Sequence, residues 1–435
     1  MNPYLRSLRE AVPYERVGRV TRVAAIGLEA DGPDVRLGEL CEVAADGGER
    51  HQAEVVAVEE GRVLLMPYAS TQGFAIGARV VATGALPCVE VGTGTAGRVV
   101  DAFGAPLDGG GPIPGVVSRP LQPRPLNPLR RAPIDRRLVT GVRALDAILP
   151  LGRGQRMGVF AGSGVGKSSL LGMLARGVQA DVNVVALIGE RGREVEEFVR
   201  HTLDERTRTR TIVVAATSDQ PAVIRARAAH AATAIAEFFR DRGADVFLMM
   251  DSVTRFAMAR REIDLAAGQP PTARGYTPSV FTDIPALCER CGSLRDGGSI
   301  TAIYSVLVEG DDHNEPIADT LRATLDGHVV LTRELAHQGH FPAIDVLQSV
   351  SRLEGALLDD AQRRRQTRLR ALLGTQARHR EMVDMGLYKS GANPELDEAL
   401  RRSAALERFL RQSLDESNGL EDTDRALASA LEGVA

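Results

Sequence analysis

Ala161-Gly162-Ser163-Gly164-Val165-Gly166-Lys167-Ser168 sets a lysine and a hydroxyl directly behind three glycines. Glycine has no Cβ, so the backbone N–H groups of such a run can curl inward around a phosphate. Lys167 would reach β- and γ-phosphates, and the Ser168 hydroxyl would sit on magnesium. Ser169 is counted with the same nucleotide-binding residues. A short apolar strand at 157–160 precedes the run, and a helix-forming stretch at 168–175 comes after it. The positive end of that helix would face the same oxygens. The general pattern has glycine first. Ala161 in that slot predicts a backbone position with φ below zero that tolerates a Cβ.

Two carboxylates narrow the chemistry. Val184-Val185-Ala186-Leu187-Ile188 is a continuous apolar run, as in a strand buried on both faces, and it leads into Gly189-Glu190-Arg191-Gly192-Arg193-Glu194. A carboxylate at the carboxyl end of a buried parallel strand faces the ligand crevice. Glu190 is therefore placed to orient and polarise an attacking water; a surface, salt-bridging Glu is the alternative. A third apolar run at 246–250 ends in Asp251, the usual form of a carboxylate that holds a magnesium shell rather than merely ending a strand. Arg255 either reaches the γ-phosphate or lies on a helix face. Arg191 and Arg255 join Lys167 and Glu190 as candidate catalytic residues.

These residues need elements to hold them. A length of 435 residues suggests about two or three domains. Up to residue 89, short alternating strands (16–23, 39–43, 53–58, 63–66, 79–82) read as a small β-barrel. Pro112, Pro114, Pro120, Pro123, Pro125, Pro128 and Pro133 mark an extended connector at about 112–133. From 134 to 352 strands and helices alternate, which predicts an α/β fold with a mostly parallel sheet covered on both faces. After 354 the strands stop and charged helices take over at 360–373 and 394–414, with Gly391-Ala392-Asn393 as a turn. The expected domains are 1–89, 90–353 and 354–435.

Gly92-Thr93-Gly94-Thr95-Ala96-Gly97 matches a dinucleotide fingerprint letter for letter. The next segment, Arg98 to Pro106, is too short for the crossover helix that fingerprint needs, so a bend between strands is expected. Net charge is −4, which forces no nucleic-acid partner. No apolar run approaches membrane-spanning length, and no signal peptide opens the chain. Cys288-x-x-Cys291 has no second pair and the segment 287–294 reads as the end of a helix, so both read as small buried hydrophobes in a reducing cytoplasm. The eight histidines form no metal-spaced cluster.

The order of β-barrel, loop-and-carboxylate core and helical tail is similar to the catalytic subunits of rotary F- and V-type ATPases. More specifically, the chain resembles the type III protein-export ATPases of flagella and injectisomes. The matching stretches are 160–168, 189–195, 251–257, 275–281, 309–319 and 339–352. Ala161 is that family's own variant of the loop. The resemblance implies a RecA-like P-loop domain and Mg2+-dependent ATP hydrolysis in a homohexamer with each site at a subunit boundary. It implies that Phe341 packs on adenine, although Tyr is common there, and that Arg352 is an arginine finger acting in trans. Such a finger contributes roughly 10³–10⁵ in rate; a helix-end arginine paired with a local carboxylate is the alternative. The 268–281 segment resembles a loop facing a central pore, with Gln269 where Glu is frequent.

Implied partners are a central stalk, a stator or negative-regulator protein, the export gate and chaperone–substrate complexes, with a peripheral, cytoplasmic location at the bacterial inner membrane. The short start at 1–14 makes the stator partner the less secure of these. Residues 63–67 and 38–41 look closer to the flagellar branch than to the injectisome. Two other classes compete. A hexameric nucleic-acid motor would need a basic, aromatic-bearing platform, and the region before residue 89 lacks interleaved basic runs. A non-catalytic ring subunit typically lacks the water-orienting carboxylate that Glu190 supplies.

Overall fold

A computed structural model describes residues 14–308 and 315–432. The short start at 1–14 therefore lies outside it except for Tyr14, and so do residues 309–314 of the matching stretch 309–319. Six strands close a barrel in the order β1-β2-β5-β4-β3-β6: β1 (Val17–Val23), β2 (Leu28–Ala30), β3 (Leu40–Ala44), β4 (Arg50–Glu59), β5 (Arg62–Pro67) and β6 (Arg79–Ala82). Closure removes both sheet edges. Val20, Leu28, Cys41, Val43, Val55, Leu65 and Val80 fill the interior. β2 was not expected, because three residues are too few to display alternation.

β7 (Cys88–Val91) leaves the barrel, and a single 3-10 turn (Thr93–Thr95) comes next. The fingerprint-like glycines thus form a bend, in which Thr95 Oγ1 accepts the Gly92 N–H at 3.0 Å. β8 (Val99–Val100) then joins the edge of the main sheet, parallel to the strand Thr211–Thr217. The Pro-rich stretch is not wholly an extended connector: β9 (Val117–Pro120) pairs antiparallel with β7, and Pro128–Arg130 forms a 3-10 turn. Pro120 closes its strand in a two-stranded ribbon, where a missing N–H is tolerated.

A small pair, β10 (Arg137–Leu138) and β11 (Leu151–Gly152), precedes the main sheet. That nine-stranded sheet contains β12 (Arg156–Ala161), β13 (Val182–Glu190), β14 (Thr211–Thr217), β15 (Asp245–Asp251), β16 (Gly292–Ser293), β17 (Ser299–Leu307), β18 (Gly327–Leu331) and β19 (Val350–Ser351). The order is β19-β18-β12-β17-β15-β13-β14-β8, with β16 beside β17. Only β16 and β19 run antiparallel to their neighbours. The continuous apolar run of β13 has a simple cause. Val184, Ala186 and Ile188 pack into one core with the alanine-rich helix Ala222–Arg240, while Val185 and Leu187 pack into another with Leu170, Leu171 and Leu174 of the helix Lys167–Gly177. Both faces are covered, so neither face can be polar.

Cys288 and Cys291 are buried as expected. The helix there ends at Cys288, however, and β16 begins at Gly292, whose φ of 128° breaks the helical path. The C-terminal helices are Asp360–Asp384, Pro394–Leu410 and Leu420–Glu432. Asp359 and Gln362 form a capping box on the first, and Asn393 caps the second ahead of Pro394. The first runs eleven residues past the expected end, to Asp384. The second stops at Leu410 because Arg411 is extended and the Gln412 N–H turns to the Phe341 carbonyl.

One buried arginine ties the barrel to the main sheet. Arg227 donates to the Ala102 carbonyl at 3.1 Å, to the Tyr68 hydroxyl at 3.0 Å and to the Cys88 carbonyl. Its guanidinium lies 4.3 Å over the Phe103 ring. Tyr68 in turn donates to Glu54 of β4 at 3.0 Å, and burial pushes the Glu54 carboxyl up from its ordinary value. Arg227→Met keeps the stem but strands these acceptors, so a loss of about 2–4 kcal/mol is expected. The urea midpoint of the variant checks this; an unchanged midpoint would show that the acceptors find other partners.

Candidate functional site

The site is built at the carboxyl ends of adjacent parallel strands. Ala161 closes β12, fully buried, and Arg274 is the one described non-glycine residue with positive φ. Gly164 and Gly166 take φ of 78° and 90°, which a Cβ would strain. Gly166 caps the helix Lys167–Gly177 and no side chain caps it, so the first-turn N–H groups face the loop without a side-chain partner.

Lys167 makes an ion pair with Asp251 at the end of β15. Asp251 is 6% exposed and also accepts the Ser305 hydroxyl at 2.5 Å from β17. Ser305 sits between the two because β17 lies between β12 and β15, in register with Met250 one residue earlier. On the far side, Leu187 of β13 pairs with Asp251, and β13 continues three residues to Glu190 through a register shift. Burial, a hydrogen bond with Glu194 and the charge of Asp251 together push the Glu190 carboxyl above its ordinary value. Glu194 is correspondingly held low by that hydrogen bond.

A cleft of about 530 Å³ brings together Ser168, Ser169, Glu190, Glu194 and Asp251, with Leu414 and Asp415 closing it from the C-terminal segment. Arg255 packs its Cβ to Cδ atoms against Gly189, where an added Cβ would stand 3.1 Å away. Its Nε is buried with no hydrogen-bond partner among the described residues. Arg191 does not line the cleft; its side chain is 76% exposed and lies 3.8 Å from Glu194. The Phe341 ring, 43% exposed, lies 3.3 Å from the point where a Cβ on Gly166 would stand.

Arg352 is elsewhere. Ser351 pairs with Gly327, the first residue of β18, whereas Ala161 pairs with Leu331, the last. Four residues of strand separate them, about 13 Å. Arg352 is exposed and donates to the Arg322 carbonyl at 2.9 Å, so the chain does not bring it to its own loop. In the 268–281 segment, Gln269 accepts from Ser279 and Arg274 has φ of 51°. Sequence reasoning did not find Ser305, Leu414 or Asp415. Ser305 reads as an ordinary strand residue, and the other two reach the cleft only through tertiary folding.

The chain matches the ATP synthase alpha/beta family nucleotide-binding domain over residues 141–351. It matches that family's beta-barrel domain over 20–84 and the T3SS EscN ATPase C-terminal domain over 358–429. It is 50% identical to a flagellum-specific ATP synthase of Bacillus subtilis, across 96% of this chain and 95% of the relative. A type 3 secretion system ATPase of Xanthomonas euvesicatoria is 45% identical over 98% and 97%. Assembled EscN of enteropathogenic E. coli superposes with a TM-score of 0.91, at 41% identity, covering 95% of this chain and all of that one. EscN with its central stalk EscO gives 0.87 at 40% identity, with 95% and 100% covered.

The ion pair makes the nucleotide-free protein dependent on a residue of the loop. Lys167→Met leaves Asp251 buried and charged, with an expected loss of about 3 kcal/mol. Lys167→Met combined with Asp251→Asn should recover much of it. Chemical unfolding without nucleotide, for the two single variants and the double, tests this; strictly additive losses would mean that the two side chains are not coupled.

Proposed function

The chain belongs to the type III export ATPases of the ATP synthase alpha/beta family, and from that premise we propose how its cleft hydrolyses ATP and which machine it serves. The single observation that carries the reading is the cleft that brings Ser168, Glu190 and Asp251 together, with Lys167 ion-paired to Asp251. The loop from Ala161 to Gly166 wraps the phosphates with its N–H groups, and the Ser163 and Val165 backbone takes part. Lys167 exchanges Asp251 for the β- and γ-phosphates. Ser168 and Asp251 are hard oxygen donors that fit Mg2+, which supplies charge neutralisation on the phosphates when bound.

Glu190 accepts a proton from the water that attacks the γ-phosphorus, and the β–γ bridging oxygen leaves with the bond electrons. Arg255, with its unpartnered Nε, and Arg191 add positive charge near the transferring group. Phe341 stacks on the adenine beside Gly166. Arg352 faces away from its own loop, which suits service in a neighbour's site within a homohexamer. The domain limits are 1–89, 90–353 and 354–435. The flagellar branch is the favoured machine, on the likeness of 63–67 and 38–41. EscN's assembly and its EscO stalk support an oligomer with a stalk partner here. A stator protein, the export gate and chaperone–substrate complexes complete the proposed partners, at the cytoplasmic face of the inner membrane. No described helix is long and apolar enough to cross a membrane.

Glu190→Gln keeps shape but removes the proton acceptor. ATP should still bind while turnover falls by roughly 10²–10⁴. Because burial and Asp251 hold the proton on Glu190, wild-type turnover should fall as pH drops through a value above the ordinary carboxylate range. That acid limb should vanish from the residual rate of Glu190→Gln. A near wild-type rate, or an unchanged limb, would remove Glu190 from the mechanism.

The in-trans role of Arg352 has its own signature. Lys167→Ala and Arg352→Ala damage opposite faces of one boundary. Each alone should be nearly inactive, yet mixed rings should contain some boundaries where an intact loop meets an intact arginine. Activity above both parents is expected once fluorescence transfer shows that subunits exchange. Mixed rings and tandem-linked pairs that both stay dead would return Arg352 to a local structural role.

A further inference from the structure

We propose that Gln412 is a positioning residue for the purine end of the site, holding Phe341 over the phosphate loop. The proposal rests on the proposed stacking of Phe341 on the base. Gln412 is buried at 5% exposure, directly after the helix Pro394–Leu410. Its side chain uses both donors and its acceptor. Nε2 donates to the Gly141 carbonyl at 2.7 Å and to the Glu416 carbonyl at 2.8 Å. Oε1 accepts the Arg143 N–H at 2.8 Å. Its backbone N–H donates to the Phe341 carbonyl at 2.9 Å.

The side-chain amide thus joins two pieces of chain, the 141–143 segment and the 412–416 turn, and the backbone N–H of the same residue adds Phe341. Arg143 braces the same junction, donating to the Phe409 carbonyl at 2.8 Å and to Glu416. The junction is also tied to the phosphate loop by its helix. Gly177, at the end of Lys167–Gly177, lies so close to Thr140 that a Cβ would stand 2.4 Å from the Thr140 carbonyl. Arg176 of that helix donates to the Leu414 carbonyl at 2.6 Å. One end of the helix thus cradles phosphate while the other is fixed to the junction that carries Phe341.

The ring is 43% exposed, and Gly166, the loop residue it lies against, contributes no side chain. Removing the Gln412 amide takes the partner from the Glu416 carbonyl and the Arg143 N–H and leaves the Gly141 carbonyl with the Asn418 N–H alone, so the turn must move to satisfy them. Because the Gln412 backbone holds the Phe341 carbonyl, that movement displaces the ring from the loop.

A positioning role predicts a defect that depends on the base. Isothermal titration with Mg-ATP and with Mg-tripolyphosphate, which has no base, separates the two ends of the site. Gln412→Met should weaken Mg-ATP binding about tenfold, the size of one net hydrogen bond, and leave Mg-tripolyphosphate binding within about twofold. Gln412→Glu keeps the shape and the Arg143 contact but loses both donations, and should show the same base-dependent loss if Gln412→Met fails to fold. Phe341→Ala is the control for the stacking reading. The double variant Phe341→Ala with Gln412→Glu should bind Mg-ATP no worse than Phe341→Ala alone. If Phe341→Ala leaves Mg-ATP affinity unchanged, the stacking reading itself fails. If Phe341→Ala loses affinity but the Gln412 variants keep it, lose both ligands equally, or add to the Phe341 defect, the positioning role is overturned while stacking stands.

Discussion

The ion pair between Lys167 and Asp251 spans a third strand: β12 ends level with Leu307 of β17, two residues beyond the level of Asp251, and the loop brings Lys167 back to that carboxylate. Parallel strands in register bring successive carboxyl ends to one rim. β12 delivers the loop, β17 delivers Ser305, β15 delivers Asp251, and β13 overshoots by three residues to deliver Glu190. The overshoot separates Glu190 from Asp251, the proposed water-orienting and metal-holding carboxylates, by about 10 Å of strand. It also sets their different electrostatics. Asp251 has a cation and a hydroxyl to stabilise its charge, whereas Glu190 has burial and two neighbouring carboxylates against it. A shift of β13 by one residue would exchange its faces as well as its length, since alternate residues serve separate cores. The site and the packing therefore share one register.

Much of this was legible because the signals are local. Glycines, lysine and serine at fixed spacing, and apolar runs ending in Glu190 and Asp251, depend on neighbours in sequence and on little else. The barrel strands were legible for the same reason, through alternation. What escaped was short or non-local. β2 and β8 have three and two residues, too few to carry a period. β9 hides among prolines because an edge ribbon tolerates them. Ser305, Leu414 and Gln412 look like any strand or turn residue until the chain folds back on itself over long stretches, as in the 271-residue separation between Gln412 and Gly141. Loop-to-loop polar junctions have no periodicity to read.

The two connections between the sheet and its neighbouring domains are built differently. Toward the barrel, Arg227 gathers carbonyls and a hydroxyl from three segments beneath an aromatic ring, and a buried cation of this kind is costly to displace. Toward the C-terminal helices the junction centres on a neutral amide among backbone groups, with the Arg143–Glu416 ion pair beside it.

The sheet itself bears on how a ring of such chains would communicate. Arg352 comes directly after β19, the antiparallel edge strand, and its backbone N–H donates to the Asp326 carbonyl at the start of β18. β18 ends beside the loop of its own chain, because Leu331 pairs with Ala161. Strands are stiff along their length, so a shift at the loop end of β18 moves the arginine end as well. On the proposed arrangement, nucleotide in one site would be sensed through β18 by the arginine serving the next. The Gln348 carbonyl accepts from His328 and Ser349 bonds both Val330 and the Asp345 carbonyl, which ties the Phe341–Arg352 segment to β18 along most of its course. The Phe341 ring and Arg352 are then two ends of one segment strapped to a single strand. Coupling between adjacent sites needs no hinge beyond it.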